Sequence, residues 1–417
     1  MSDHHRSIAN ERVGWFMIFF AAIIAGAGFG GMMSVTVFLE PLEKSFGWLR
    51  QETSFAYMVG NLAAGFGGIL MGGWTDRTSA RPVILTGVIV MGASFIALAM
   101  MRTRMEFYVI YGLLLCGLGV SAFMVPLAST MGFWFDRNRG LAMSLMMGGQ
   151  SLGGAFVPYL ARYLIDTMSW QEAYLTLGLG CWLLLIPVCF IVRDPPGLAD
   201  LKALTKLHSA DATNARAIIA TRPLVVLLSL AAQGCCICMA MPLVHLVPLL
   251  SGIGYEPQRA AGVLSVLMIA SMVGRLIFGK VLDKLGGTRT LFITSGLQTI
   301  STFWFTQVDG ITAQYFFAII FGLGFGGVFP AYTVIVSELV PVYQAGRSMG
   351  IVFFSAFIGM GLGGYFGGLF YDLTGDYQVS FGLAALAGVG NMIVVALLYL
   401  RLTRSKALLD AAIPQAA

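Results

Sequence analysis

Apolar runs recur from one end of the chain to the other, separated by short clusters of charge, glycine and proline. A hydrocarbon core of roughly 30 Å takes about 20 apolar residues as a helix, and inside it each backbone amide must find its partner within the same segment. A chain that repeats such runs is therefore confined to helical membrane folds. Cut at the charge clusters, the runs number twelve, near residues 14–39, 53–74, 82–101, 107–134, 140–162, 171–192, 220–250, 258–282, 290–308, 313–337, 348–371 and 378–400. A mean hydropathy of +0.82 with 11% charged residues excludes a soluble domain.

The positive charges sort by side. Lys44, Arg50, Arg102, Arg104, Arg162 and Arg259 fall on one face, and every other lysine or arginine except Arg275 falls on the face of the two termini. Cationic loops stay cytoplasmic, so both termini are expected in the cytoplasm and the chain in the cell (inner) membrane. The net charge of +5 is then an orientation signal and implies no nucleic-acid partner. The first run follows MSDHHRSIANER without a small-residue cleavage site, so it is expected to persist as a span. All six cysteines lie within spans, and CCIC at 235–238 has no second ligand cluster, so neither a disulfide framework nor a metal is expected. No nucleophile, base and orienting group stand together, which argues against an enzyme, and no cofactor is expected.

Residues 193–219 form the longest polar connection, proline-broken and basic, with six spans on either side. The expected organisation is a six-helix bundle over 1–192, a cytoplasmic loop over 193–219 and a second six-helix bundle over 220–417. GGWTDRTSAR after the second span is echoed by GKVLDKLGGTR after the eighth, and FDRNRGLAMSLMMGGQSLGG by YQAGRSMGIVFFSAFIGMGLGG. Repeated six-helix halves mark secondary transporters that rock around a midplane site. In the first echo, Gly72 and Gly279 would let helices approach closely. Asp76 and Asp283 would meet a neighbouring helix end or arginine, and Arg77, Arg81, Lys284 and Arg289 would lie in the cytoplasmic loops.

This doubled G-x-x-x-D-[RK] pattern in a twelve-span chain resembles the major facilitator superfamily over nearly the whole sequence, with Ser79 where the pattern has glycine. The resemblance implies an all-α membrane protein of twelve transmembrane helices in two pseudo-symmetric six-helix bundles. GWFMIFFAA, SVTVFLEPLE, PLVHLVPLL, IASMVGRLIFG and the GDY before the twelfth span further resemble the monocarboxylate transporter family and its bacterial branch. In that family an arginine of the eighth helix binds the substrate carboxylate, and Arg275 stands at the matching position. Animal relatives also carry a lysine in the first helix and an aspartate one turn before the arginine, both implied in proton coupling. Here those positions hold Met33 and Ser271, which cannot titrate.

Arg275 is unusual apart from any resemblance. It follows a long uncharged run, roughly 9 to 12 Å of helix from Asp283, and a guanidinium inside a span costs at least about 2.5–3.5 kcal/mol. Either it snorkels to the headgroups or it faces a water-filled cavity and awaits an anion. Its planar fork suits a carboxylate, and with no second cation inside the eleventh span, a monoanion fits better than a dianion. His245, between Pro242 and Pro248, is either a satisfied structural residue or the proton-coupling group. Phe123, Gln150, Gln233, Tyr332 and Phe354 are the candidate substrate-binding residues beside Arg275, with Ser151, Ser265, Phe329, Phe353 and Phe357 available nearby; for each, the alternative is ordinary packing. This greasy lining favours carboxylates with an apolar or aromatic body. The expected partners are a small organic acid anion, protons if transport is symport, and membrane lipids, with the chain monomeric. The alternative function is an organic-anion exchanger, or an exporter of other metabolites or drugs, on the same fold.

Overall fold

The computed structural model describes residues 2–123, 126–127, 134–135, 139–193, 215–340 and 342–412. Helices make up nearly all of them, and there is no strand among the described residues. Ten helices are long and apolar enough to cross a membrane. The fifth and ninth spans, Arg139–Thr167 and Gly287–Trp304, complete the twelve. The ninth is less apolar because its inward face is lined with hydroxyls. Thr290, Thr294, Thr299 and Ser301 are buried there, and each bonds a carbonyl one turn back, so none remains a dry, unpaired group.

Two spans depart from the regular helices the apolar runs suggest. The first is interrupted at Ser34, between Ser2–Met33 and Val35–Phe46. Ser34 Oγ donates to the Gly31 carbonyl at 2.8 Å, the kind of back-bonding that bends a helix. The fourth begins as Arg104–Phe107 and continues as a π-helix over Tyr108–Val120. The expected reach of that span to residue 134 falls partly outside the described residues, as does residues 194–214 of the expected central loop.

One pairing order recurs in both sets of six. Span one packs on five, two on four and three on six; seven packs on eleven, eight on ten and nine on twelve. Small residues make the closest approaches. Ala22, Gly26 and Gly30 of the first span lie backbone to backbone against Gly149 and Gly153 of the fifth. The eleventh span, Val342–Thr374, carries two glycine rows: Gly359, Gly363 and Gly367 face the seventh span, Ala215–Gly252, while Gly361, Gly364 and Gly368 face the second, Arg50–Arg77. A Cβ at Gly153 would collide with the Gly26 carbonyl, whereas one at Gly180 would meet nothing within 4 Å. Gly153→Val is therefore expected to destabilise the protein by about 1–3 kcal/mol and Gly180→Val to leave its thermal midpoint unchanged, as read by thermal unfolding in detergent.

The first six spans meet the last six mainly along two seams, span two with eleven and span five with eight, with a smaller contact of Val35–Phe46 of the first span on the seventh. Both seams are tight near the end opposite the termini. Toward the termini they part: a Cβ at Gly73, Gly279 or Gly350 would meet nothing within 4 Å. The close helix approach expected at Gly279 is thus not made in this conformation, because the seam has already opened there.

Candidate functional site

The eighth span, Pro257–Leu285, buries Leu264, Leu267, Met268, Ser271, Gly274, Arg275 and Phe278 along one helical stripe and exposes Val273, Leu276 and Ile277 on the other side. Arg275 belongs to the inward stripe and is only 6% exposed. Its side chain turns across the five–eight seam and does not run to the helix end. Nε donates to Ser151 Oγ of the fifth span at 3.3 Å, and the guanidinium carbon lies 6.0 Å from the centre of the Phe325 ring of the tenth. Ser271 Oγ is 2.8 Å from the same Ser151 oxygen, and Ser265 Oγ donates to the Ala155 carbonyl at 2.7 Å. The arginine thus sits at a seam of small hydroxyls. Among the described residues no carboxylate pairs with it and no acceptor takes its two terminal amino groups.

A hydrogen bond to a charged group contributes about 1.5–3 kcal/mol and a cation over an aromatic face about 0.5–2. Together they roughly offset the insertion cost of the charge and leave the forked edge free. A guanidinium edge of this kind can take a carboxylate through two parallel hydrogen bonds.

The other expected lining residues divide. Gln150 is buried beside Ser151, and Gln233 is half-buried where the seventh span meets Gly359. Phe354 packs edge-on to Phe66 at 4.9 Å on the two–eleven seam, and Phe329 meets Phe353 at 5.8 Å. The Phe123 ring fills the space over Gly28 and Gly87, inside the first six spans, because those glycines leave a slot for it. The Tyr332 hydroxyl donates to Asn391 Oδ1 of the twelfth span at 3.4 Å, within the last six.

His245 is fully buried. Nε2 lies 2.7 Å from the Gly364 carbonyl, which can only accept, so that nitrogen carries a proton; Nδ1 lies 3.2 Å from Tyr377 Oη. The phenol also accepts from Arg50 Nη1 at 2.6 Å, and Arg50 is paired with Glu43 through Nε and Nη2. Nothing in the local sequence around His245 marked this connection.

Of the doubled motif, Gly72 is half-buried, Arg77, Asp283 and Lys284 are exposed, and the Asp76 side chain lies outside what is described. Arg81 donates to the Phe190 and Val192 carbonyls, both at 3.0 Å, at the C-terminal end of the sixth span, Trp170–Ile191. Arg289 reaches Tyr399 Oη of the twelfth span at 2.6 Å. Both arginines, expected in loops, lie in the first turn of the third and ninth spans and tie those spans to the last span of their own set, a second expression of the repeat. An apolar crevice of about 560 Å³ between spans one, three, five and six is lined by Phe156, Leu160, Leu184 and Met272 but not by Arg275.

The family profile described as Major Facilitator Superfamily matches residues 15–363 and 311–415. Monocarboxylate transporter 13 of Rattus norvegicus is 26% identical over 92% of this chain and 89% of its own length. The uncharacterized MFS-type transporter YcxA of Bacillus subtilis is 27% identical over 88% of this chain and 91% of its own. Among solved structures, a peptide transporter POT in complex with sulfate superposes with a TM-score of 0.72 at 15% identity, over 94% of this chain and 95% of that one. A D-xylose-proton symporter superposes with 0.70 at 16%, over 91% and 97%. These likenesses carry the fold.

Proposed function

Since the chain belongs to the Major Facilitator Superfamily, we propose that it moves a monocarboxylate anion across the cell membrane by alternating access, with Arg275 as the carboxylate anchor. The observation that carries this reading is the buried guanidinium whose forked edge has no acceptor among the described residues. An anion that docks there neutralises the charge, and neutralisation lowers the cost of closing apolar helices over it. The names of the relatives, monocarboxylate transporters among them, point the same way.

The halves that rock are residues 1–192 and 220–417. With both termini cytoplasmic, as the cationic loops favour, the open seams at Gly73, Gly279 and Gly350 face inward and the closed end faces outward. Phe325 beside the anchor and Phe329, Phe353 and Phe354 along the seams suit a substrate with an apolar or aromatic body. Met33 and Ser271 do not titrate, so a proton travels with the substrate carboxylate or through a group elsewhere; exchange of one organic anion for another is the second reading, favoured by this lack of a charged partner at Arg275 among the described residues.

The test is uptake of a panel of labelled monocarboxylates into proteoliposomes, with and without an inward proton gradient. Accumulation of an aromatic or branched acid is the expected result, and gradient dependence separates symport from exchange. Uptake of none of the acids, with a cationic or neutral substrate carried instead, would sink the reading.

A further inference from the structure

Among the described residues, the shortest hydrogen bonds between the two halves lie at the end opposite the termini. The second span begins there, and its first backbone amides point at the eleventh: Asp372 Oδ1 accepts from Arg50 N at 3.1 Å and Oδ2 from Gln51 N at 2.6 Å. A carboxylate at a helix N-terminus satisfies free N–H groups and meets the positive end of the helix dipole. Here that carboxylate comes from the other set of six spans. Arg50 reaches across as well. Its Nη1 donates to Tyr377, its guanidinium stacks 4.7 Å from the centre of the Tyr371 ring, and its remaining edge holds Glu43 of its own set.

The relay continues to His245, whose hydrogen bonds require one protonation state. The Gly364 carbonyl fixes a proton on Nε2. Tyr377 has one proton; its oxygen already receives Arg50, so the proton goes to Nδ1, which must be bare. A second proton on the ring would face the phenol oxygen as a donor. The phenol's own proton would then need an acceptor, and among the described residues no other group bonds that oxygen. The imidazolium would also share one oxygen with the Arg50 guanidinium. The groups facing this point from the packed elements are Glu40 and Glu43 of the first span, Arg50 and Tyr57 of the second, Tyr371 and Asp372 of the eleventh, and Tyr377 before the twelfth. Of the carboxylates, Glu43 is spent on Arg50 and Thr53, and Asp372 on backbone amides.

We propose that Glu43, Arg50, Asp372, Tyr377 and His245 form the outer gate of the transporter, a latch that closes around a neutral His245 and is released when that ring takes up a proton. The interface it closes is poised to open. Ser54 Oγ, against Gly368 just inside the latch, is buried with no hydrogen-bond partner among the described residues. Such a group is unsatisfied while the interface is dry, and opening rehydrates it. The closed end has no place for the second proton and the open end does, so by linkage acid favours opening. An outward opening that requires a proton at the gate gives the carrier a proton-dependent step without any titratable group beside Arg275.

This inference rests on the alternating-access reading but not on the identity of the substrate, and its test uses no carboxylate, so its failure would leave the uptake panel standing. Met168→Cys and Ile253→Cys place one nitroxide on each half at the latch end, on exposed positions outside the relay, and the six native cysteines are buried. Distances are measured by pulsed dipolar spectroscopy in nanodiscs at pH 8 and pH 5. The expected result is at least a threefold rise in the long-distance, open population at pH 5. In His245→Gln, whose amide can still donate to Gly364 and accept from Tyr377, that rise disappears. Tyr377→Phe, which keeps the ring and removes the shared oxygen, opens the end already at pH 8. Acid opening that persists undiminished in His245→Gln would assign the proton to Glu40, Glu43 or Asp372 and overturn the proposal. A wild type whose distances ignore pH would overturn it as well.

Discussion

Arg275→Met is expected to lose carboxylate uptake by at least about 30-fold while the protein becomes no less stable. A bidentate charge-assisted contact to an anion in a partly desolvated site is the kind of interaction whose loss costs 2–5 kcal/mol, which the uptake measurement reads directly. The stability half of the expectation runs opposite to an ordinary buried residue. The guanidinium costs at least about 2.5–3.5 kcal/mol to place in the span, and its visible compensation is one long hydrogen bond to Ser151 and one ring face. Methionine fills similar volume without a charge, so the thermal midpoint in detergent should stay level or rise. Arg275→Lys keeps the charge but not the fork, and its half-saturation concentration should rise about tenfold or more. If Arg275→Met instead unfolds and transports normally in the fraction that survives, the arginine is structural and the anchor reading fails.

That pairing of lost function with kept stability separates a binding residue from a packing one, a distinction the sequence could make only in part. Arg275 was legible because a lone charge in an apolar run is improbable on energetic grounds alone, and the repeated motif with its glycine rows pointed to twelve spans in two sets. Phe123 and Tyr332 show what such reading leaves open. Helical periodicity indicates that a side chain faces inward, but a bundle of twelve helices has two kinds of interior: the cores within each set of six and the seams between the sets. Phe123 filled the slot over Gly28 and Gly87, and Tyr332 turned to Asn391, both inside one set. The break at Ser34 and the π-helix of the fourth span are local, yet no turn residue announces them. The latch was out of reach for another reason. Arg50 and Tyr377 are 327 positions apart, and His245 and Tyr377 132, so only the folded chain brings together residues that look like ordinary loop charges and a lone histidine.

Glu43→Gln is expected to cost more stability than Glu43→Gln combined with Arg50→Gln. Glu43 accepts from Arg50 Nε at 2.8 Å and Nη2 at 2.6 Å and from Thr53 Oγ1 at 2.9 Å. Arg50 is only 8% exposed and Glu43 15%. Removing the carboxylate leaves a buried guanidinium whose only remaining strong partner is Tyr377, and breaking a buried pair from one side costs about 3–5 kcal/mol, an upper figure at this slight exposure. Removing both charges takes away the ion that needed a partner, so the double variant should recover at least half of the loss. The pair Glu256–Arg259 provides the contrast, since both partners are more than two-thirds solvent-exposed at 3.5 Å; Glu256→Gln should cost no more than about 1 kcal/mol. Thermal midpoints of the three variants and wild type in one detergent decide the matter. A Glu43→Gln loss as small as that of Glu256→Gln would mean that solvent screens Arg50, and the latch would then rest on Asp372 and the capped start of the second span alone.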